Sequence, residues 1–389
     1  MGRIVLAVPV IGLLLFLVVA AHGYVIDRMI AEPGVPEPWA TVLRWSVVAL
    51  GLSLAAQPLG ERLLPHRFAR LIAWPASLWM GVAFLLLVAL GLSEAVLWLG
   101  VDPARAAAGG AEADALATAR WRALLVGGGV LAASALGLRA GLARPDVRRV
   151  ELHLPRWPAQ LDGFRVVQIS DIHIGPILGR DFAAWLVDRV NALEPDLVAV
   201  TGDLVDGRVD LLRDEVAPFA GLKGRHGVWF VTGNHDHYSG GRAWAAEAER
   251  LGMGVLRNRH RVLDAGGARF VIAGVDDHRQ GMMPGEGGED LDAALDGVPG
   301  DCPVVLLAHD PSTFKQACRR GIDLQISGHT HGGQIWPFRY LVRLAIPFVA
   351  GVYQRGDARL YVSRGTGFWG PPMRLGAPAE ITEIVLRAG

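Results

Sequence analysis

Hydrophobic and polar positions divide the chain into two unlike halves. Up to about residue 145, long uncharged stretches alternate with short charged connections, whereas short apolar runs, helical stretches and Gly or Asp turns alternate after it. Because about 20 apolar residues cross roughly 30 Å of hydrocarbon, the first half predicts four transmembrane helices. We place them at about residues 4–26, 41–60, 71–93 and 121–139.

The first predicted span has an alternative interpretation, a cleavable signal peptide. Met1-Gly-Arg3 precedes an apolar run that ends Val-Ala-Ala, as in a signal peptide. The run is longer than the h-region of about 7–15 residues that signal peptides carry, so an uncleaved span is favoured. The second and fourth spans have shorter uncharged cores of 16 residues each. Their flanking arginines must therefore extend toward the membrane interface.

Arginine positions predict the orientation of the four spans. Lys and Arg in short loops are retained on the cytoplasmic side of a membrane. With four spans, eight arginines fall on the side that carries both termini and five on the other side. We therefore expect a multi-pass protein of the plasma (inner) membrane whose second half faces the cytoplasm. The loss of one span would reverse this orientation.

The second half alternates predicted strands and helices. Apolar runs rich in Val, Ile and Phe predict buried strands at residues 164–170, 197–201, 228–232, 269–274, 304–308 and 324–327. Connecting helices are predicted at residues 181–193, 208–221, 242–251 and 312–320. The sequence therefore predicts a transmembrane region at 1–145, a linker at 146–160 and an α/β domain at 161–389.

Polar clusters follow five of the six predicted strands at their carboxyl ends. The clusters are Asp171-Ile-His173, Gly202-Asp203-Leu-Val-Asp206, Gly233-Asn234-His235-Asp236, Ala308-His309-Asp310 and Gly328-His329-Thr-His331-Gly-Gly-Gln334. Alone, each cluster is more typical of a turn or a helix cap than of a ligand pair. Together they bring oxygen and imidazole ligands to one edge of the fold, where the carboxyl ends of the strands meet.

The chemistry of these side chains suits a metal centre. Asp, Asn and His ligands without thiolate are typical of Mn, Fe, Co or Zn, and they argue against a structural zinc site built on cysteine. The clusters offer more ligands than one ion needs. We therefore expect two divalent ions roughly 3.5–4 Å apart that share a carboxylate and act on phosphorus.

The order and spacing of D-x-H, G-D-x-x-D, G-N-H-D, H and G-H-x-H resemble the calcineurin-like metallophosphoesterase superfamily over about residues 160–389. Residues 328–334 and the tail Ser363-Arg-Gly-Thr-Gly with Pro371-Pro-Met-Arg-Leu-Gly look like its membrane-associated branch. That branch contains the Bacillus protein YkuE and the chlamydial UDP-2,3-diacylglucosamine hydrolase. We thus expect an α/β protein in which a bundle of four transmembrane helices precedes a four-layer α-β-β-α sandwich.

The resemblance also implies roles for individual residues. The implied ligands are Asp171, His173 and His331 for one ion, Asn234, His309 and His329 for the other, and Asp203 between them. His235 is implied to be catalytic, as an acid or charge stabiliser during attack by a hydroxide that bridges the ions. Asp236 is expected to fix the tautomer of His235.

Four further residues keep two interpretations each. Asp206 and Asp310 either orient metal-bound imidazoles from behind or are turn acids. Arg364 and Arg374 either contact phosphate or, as we favour, are structural or solvated arginines.

Composition limits the function classes. Residues 1–150 hold 13 arginines and 9 acidic residues, and the whole chain has a formal net charge of zero, so nucleic acid is not an expected partner. Cys302 and Cys318 lie outside any CxxC spacing and favour buried thiols over a disulfide scaffold.

Residues 335–349 bear on the substrate. This apolar segment follows the last predicted ligand and is either a core-packing loop with a short helix or a surface that enters the bilayer. The leading hypothesis is a hydrolase of a lipid-linked phosphodiester or pyrophosphate, such as a UDP-diacylglucosamine-type precursor, with the lipid bilayer and a phosphorylated lipid as partners. The alternatives are an anchored enzyme for a soluble phosphoester and a metal-binding receptor or scaffold without turnover.

Overall fold

The computed structural model describes residues 2–100, 111–277 and 287–389. The chain divides into two units, the first comprising most of residues 1–139 and the second most of residues 140–389. The division falls close to the predicted change from apolar helices to alternating strands and helices.

The described part of the first unit contains four long helices. They are α1 (Gly2–Ile26), α2 (Trp39–Leu63), α3 (His66–Gly100) and α4 (Ala111–Leu142), with a π-helical turn at Asp27–Ala31 after α1. Among the described residues, three helical segments are long and apolar enough to cross a membrane: Trp39–Glu61, Arg67–Gly100 and Ala115–Leu142. They contain the second, third and fourth predicted spans. The first predicted span, at about residues 4–26, lies within α1, some of whose side chains are outside the described part of the structure.

These helices are longer than the uncharged cores that predicted them. The apolar segments of α2 and α4 reach 23 and 28 residues, because the helices continue past the arginines that flank each core. Charged groups near the helix ends pair with one another: Glu94 of α3 lies 3.0 Å from Arg28 Nε and 3.0 Å from Arg122 Nη1. The arrangement of the four helices as a bundle stays a prediction.

Two six-stranded mixed sheets form the second unit. The first has the order β1-β12-β2-β3-β4-β5 and the second the order β10-β11-β9-β8-β7-β6. In the first sheet the strands are β1 (Asp146–Leu154), β2 (Phe164–Ile169), β3 (Leu197–Thr201), β4 (Val228–Val231), β5 (Gly254–Val255) and β12 (Glu380–Ala388). In the second they are β6 (Arg259–Ala265), β7 (Ala268–Gly274), β8 (Val304–Leu307), β9 (Leu324–Ser327), β10 (Gly351–Arg355) and β11 (Ala358–Val362).

Helices connect these strands. They are α5 (Arg180–Asn191), α6 (Val209–Val216), α7 (Asn234–Tyr238), α8 (Gly241–Arg250), α9 (Leu291–Leu295), α10 (Phe314–Ala317) and α11 (Phe338–Ala345). The predicted helix at 208–221 ends early and continues as a 3-10 helix at Ala217–Gly221. The predicted helix at 312–320 is shorter than expected, with a 3-10 turn at Pro311–Thr313 before α10.

Apolar packing holds the two sheets together. Val166 and Ile384 of the first sheet share one buried cluster with Phe270, Val305 and Ile326 of the second. A separate buried cluster joins the first sheet to the apolar sides of α5, α6 and α8. The expected α/β class is confirmed, while the count of four layers stays a prediction.

The expected linker at 146–160 is instead part of the α/β unit. Strand β1 pairs in parallel with β12 over its whole length, from Asp146 opposite Glu380 to Leu154 opposite Ala388. Trp157, just beyond the strand, is buried in the cluster between the sheets. The sequence predicts a linker here because an edge strand with many charged residues lacks the continuous apolar run of the central strands.

Candidate metal centre

All seven predicted ligands lie just beyond strand ends. Asp171 and His173 follow β2, Asp203 follows β3 and Asn234 begins α7 directly after β4, while the second sheet supplies His309 after β8 and both His329 and His331 after β9. The centre therefore lies where the carboxyl ends of strands from both sheets meet. All but His329 are buried.

Ligand atoms from the two sheets converge on Asp203. Its Oδ2 lies 3.1 Å from His309 Nε2 and 3.9 Å from His173 Nε2. Three groups have ligand atoms within 4.8 Å of one another: Asp171 with His173 and His331, His173 with Asp203 and His235, and Asp203 with His309 and His329. Asp203 thus belongs to a group on each side, as a carboxylate shared by two ions would.

The backbone is strained at five of the seven positions. Residues 171, 173, 203, 329 and 331 are not glycines, yet they have positive φ angles between 50° and 73°. Such conformations cost about 1–3 kcal/mol each and persist only where surrounding structure holds them. Their concentration here is typical of a functional site.

Two glycines let the ligand loops approach each other closely. A Cβ atom on Gly233 would lie 2.2 Å from Asp203 Oδ1, and one on Gly328 would lie 2.2 Å from Asp171 Oδ2. Both distances are far below van der Waals contact. The glycine before Asn234 and the glycine before His329 are therefore required by the packing of the loops.

Two buried oxygens make the donor set fit a metal. Within the described part of the chain, Asp171 Oδ2 and Asn234 Oδ1 have no hydrogen-bond partner. An unsatisfied buried acceptor costs about 1–3 kcal/mol, which a bound cation would offset. Asp171 belongs to one of the two predicted ligand sets and Asn234 to the other. With the imidazoles and Asp203, this donor set suits Mn, Fe, Co or Zn.

Asp206 orients two of the imidazoles. His173 Nδ1 and His235 Nδ1 both donate to Asp206 Oδ1, at 2.9 and 2.7 Å. The Nε2 atom of each ring is then left for a ligand or substrate. Although burial works in the opposite direction, the two imidazoles hold the pKa of the Asp206 carboxyl well below its usual range. The geometry supports the interpretation of Asp206 as an orienting carboxylate.

Asp236 has a different role from the one expected. Its fully buried carboxylate accepts backbone N–H bonds from Gly233 (2.8 Å), Asp203 (2.9 Å), Leu204 (2.9 Å) and Val205 (3.3 Å). Asp206, not Asp236, therefore fixes the tautomer of His235. Burial and the neighbouring Asp203 carboxylate raise the pKa of Asp236 to about 7, while the four donors favour its ionised form. Asp236 ties the loop after β3 to the loop after β4.

His235 lies at the open side of the centre. Its backbone N–H donates to Asp203 Oδ1 at 2.8 Å, and its ring lies between buried and exposed. Burial alone would lower its pKa, but Asp206 and Asp203 raise the pKa of His235 to about 9. Two exposed aromatic rings flank it, with centroids 5.4 Å away for Tyr238 and 6.0 Å away for Trp369.

Arg364 and Arg374, which were considered as phosphate contacts or as structural arginines, both contact other parts of the protein. Arg374 is buried and donates to the carbonyl oxygens of Arg364, Gly367 and Ala377. Arg364 pairs with buried Glu380, with Nε 2.7 Å from Oε2. The structural interpretation of both arginines is supported.

Asp310 makes one contact typical of a turn acid and another close to a ligand imidazole. Its Oδ1 accepts from the backbone N–H of Ser312 at 2.7 Å, as a turn acid does. Its Oδ2 lies 3.7 Å from His329 Nε2, on the side of the ring opposite His309.

The sequence interpretation missed the sixth strand end. Asp276 and Asp277 follow β7 and are buried. Asp276 accepts from Arg257 Nε at 2.9 Å and from Thr232 Oγ1 at 3.3 Å. Against the effect of burial, Asp277 joins Asp203 and Asp171 in raising the pKa of His309. Their position after the predicted strand at 269–274 was the available signal.

Comparison with known proteins places these motifs in a family. The model of the calcineurin-like phosphoesterase family matches residues 164–333. The "Transmembrane protein with metallophosphoesterase domain" of Bos taurus is 41% identical over 266 residues, 66% of this chain and 60% of that protein. The "Uncharacterized metallophosphoesterase YkuE" of Bacillus subtilis is 32% identical over 246 residues, 59% of this chain and 82% of that protein. This chain therefore spans less than two thirds of the bovine relative's length.

Comparison with solved structures finds matches at low sequence identity. A dimetal phosphatase from Danio rerio aligns with a TM-score of 0.35 and 15% identity, covering 54% of this chain and 90% of that one.

Proposed function

The chain belongs to the calcineurin-like metallophosphoesterase family, and we propose that it is a membrane-anchored, metal-dependent hydrolase of a lipid-linked phosphodiester or pyrophosphate. The observation that carries this proposal is the pair of unpartnered oxygens, Asp171 Oδ2 and Asn234 Oδ1, buried among convergent imidazoles in the described part of the chain. Bound cations would offset the cost of leaving these oxygens without partners.

The ligand positions suggest how two divalent ions would be held. Asp203, which belongs to a ligand group on each side, would contact both ions, with the other six ligands divided between them as the family resemblance implies. Bound divalent ions lower the pKa of water and stabilise charge on phosphoryl oxygens. The chain's own groups then bind and orient the phosphoester.

His235 is the proposed acid. Because its Nδ1–H is held by Asp206, its Nε2 is the atom that faces a leaving oxygen. The Asp206 carboxylate that accepts from its Nδ1–H also favours the protonated imidazole, as donation of a proton to the leaving oxygen requires.

Helix α11 supports a substrate that stays in the bilayer. None of its residues, all of which are described, is buried. Leu341 and Leu344 are 56% and 84% exposed, whereas Arg339 and Arg343 lie one turn apart on a separate face. From residue 335 to residue 356 the sequence has no acidic residue, which suits an anionic lipid surface. We infer that α11 lies in the membrane interface beside the metal centre.

The rest of the apolar segment belongs to the core. Ile346, Phe348 and Val349 are buried, and Phe348 packs with Phe314 and Leu360. Each interpretation of residues 335–349 is thus supported for one part: the exposed face for 336–345 and the core-packing loop for 346–349.

One experiment tests the reaction and the substrate class together. The purified full chain, loaded with Mn, Zn or Mg, is assayed on matched lipid-linked and soluble phosphodiesters, and its metal content is measured. We expect two divalent ions per chain and faster hydrolysis of the lipid-linked diester. An active preparation with one ion or none would contradict the dinuclear centre, and a preference for the soluble diester would favour an anchored enzyme for soluble substrates.

The orientation has its own test. The arginine count supports a catalytic unit on the cytoplasmic face of the plasma membrane. Protease added outside intact spheroplasts should leave residues 160–389 uncut, whereas cleavage there with a sealed cytoplasm would place the unit on the other face. A lysed sample serves as the positive control.

A further inference from the structure

An open cleft of about 910 Å³ lies beside the metal centre in the same unit. Residues of α6, of α8 and of the turn between α7 and α8 line it. Among these residues are three arginines, Arg208, Arg213 and Arg250, together with Tyr238 and Ser239. None of them belongs to the predicted ligand set.

The charges in the cleft do not balance. Arg213 and Arg250 share one buried carboxylate, Glu247, at 3.4 Å and 2.5 Å. Arg208 pairs with Asp210 at 3.0 Å. Three guanidinium groups therefore face two carboxylates in the cleft lining, which leaves an excess positive charge. All three arginine side chains are more than half exposed, at 62%, 59% and 54%, so a ligand can reach them.

Two connections join the cleft to His235. Tyr238, which lines the cleft, has its ring centroid 5.4 Å from that of His235. Asp206, which orients His235 and His173, precedes Arg208 by two residues. The loop that orients the catalytic imidazole therefore also carries the first arginine of the cleft.

A different side of His235 is connected to the apolar surface. Trp369, whose ring also flanks His235, exchanges two hydrogen bonds of 2.9 Å with the Gln334 side chain. Gln334 lies four residues before α11. His235 is thus flanked by one aromatic ring that belongs to the arginine cleft and by another that is fixed to the segment leading to α11.

We propose that this cleft binds a second anionic group, a phosphate in the polar head of the substrate, while the scissile phosphoester lies at the metal centre. Guanidinium groups recognise phosphate through paired N–H bonds, and an excess positive charge in a concave surface favours such an anion. The position of the scissile group rests on the proposed function, whereas the binding of the second phosphate can be measured without turnover.

The test compares two sugar phosphates that differ by one phosphate group. Glucose 1-phosphate and glucose 1,6-bisphosphate are titrated by calorimetry into the full chain, loaded with Mn and held in detergent. We expect the bisphosphate to bind about tenfold more tightly or better, with one site per chain, since a charge-assisted bond contributes that much. The double variant Arg208→Gln, Arg213→Gln should reduce the ratio of the two dissociation constants to about one to twofold.

Two features of the design keep the result specific. Arg250 stays in the double variant, so Glu247 keeps a partner, and the ratio cancels any general loss of affinity. The matched control is Arg225→Gln, an arginine 61% exposed and 3.0 Å from Asp196, just before the amino end of β4 and thus away from the carboxyl ends that carry the centre. It should keep the wild-type ratio.

Three outcomes would overturn the proposal. The two dissociation constants could be nearly equal for the wild-type protein, their ratio could be the same in the double variant as in the wild type, or the chain could bind phosphate at two equal sites. Hydrolysis of bis(p-nitrophenyl) phosphate by the same preparation separates this result from the proposed function. A preserved ratio without hydrolysis supports the cleft and contradicts the enzyme. Hydrolysis together with a ratio of dissociation constants near one supports the enzyme and contradicts the phosphate-binding cleft.

Discussion

The metal centre and the surface around it are built in different ways. Around the metal centre, backbone strain at five positions, closely approaching glycines and four amides bound to Asp236 fix the side chains in buried loops. The surrounding surface consists of exposed groups, the cleft arginines on one side and α11 on another. We infer that the buried loops determine the reaction and that the exposed groups select the substrate. Variants in the two regions should therefore fail in different ways.

The largest effect is expected at Asp203, because it alone belongs to ligand groups on both sides of the centre. Asp203→Asn should weaken the binding of both ions. It should lower the rate on an aryl phosphodiester by more than the roughly 10–100-fold lost when a residue that hydrogen-bonds a ligand is mutated. Metal analysis after dialysis and the initial rate measure the two effects. Asp301→Asn, at an exposed acid paired with Arg269, is the control. Retention of both ions in Asp203→Asn would contradict the shared carboxylate.

His235→Ala should separate catalysis from metal binding. The proposed acid is lost while the seven ligands remain, so the rate should fall by roughly 10²–10⁴-fold with both ions retained. The exposed His153→Ala is the matched control. Since His235 also shares a ligand group with His173 and Asp203, loss of an ion in this variant would show that His235 binds metal instead.

Two neighbouring carboxylates should give opposite results. Asp206→Asn removes the negative charge behind two imidazoles and should lower the metal affinity or the rate by roughly 10–100-fold, with little change in the unfolding free energy. Asp236→Asn presents an NH₂ group to backbone donors and should lower the unfolding free energy by about 2–3 kcal/mol. Chemical denaturation of the metal-free proteins measures the difference. Equal stability of the two variants would contradict the roles assigned here.

The sequence predicted which residues lie in the buried loops of the metal centre better than it predicted which of these residues contact one another. Strands at 197–201 and 324–327 were predicted to the residue, because buried central strands are continuous runs of apolar residues. The ligand residues are those that the family resemblance implies, and the structure places all seven just beyond strand ends. The predicted partner of His235 was wrong: Asp236 is its neighbour in sequence, whereas Asp206 is 29 residues away and only the fold brings its carboxylate to the ring. Asp276 and Asp277 were missed, although they follow the predicted strand at 269–274.

Pairing between distant segments was harder to predict. Strand β1 is charged along one edge and becomes recognisable only when β12, more than 220 residues away, lies beside it. The arginine cleft likewise depends on the packing of α6 against α8, which periodicity within each helix does not show. Residues 335–349 kept two interpretations because apolar composition alone does not separate an exposed amphipathic helix from a core loop.

The smallest effect is expected on the exposed face of α11. Replacing Phe338, Leu341 and Leu344 with Ser should lower the rate on a lipid-linked diester about tenfold, the equivalent of partly losing the burial of apolar side chains in the bilayer, and should lower the rate on a soluble aryl diester far less. Phe348→Ser is the contrasting control, since Phe348 is only 6% exposed and packs in the core. That control should lower the melting temperature and reduce both rates together. Equal losses on the two substrates in the α11 variant, at an unchanged melting temperature, would remove the membrane from substrate selection and leave the helices as an anchor.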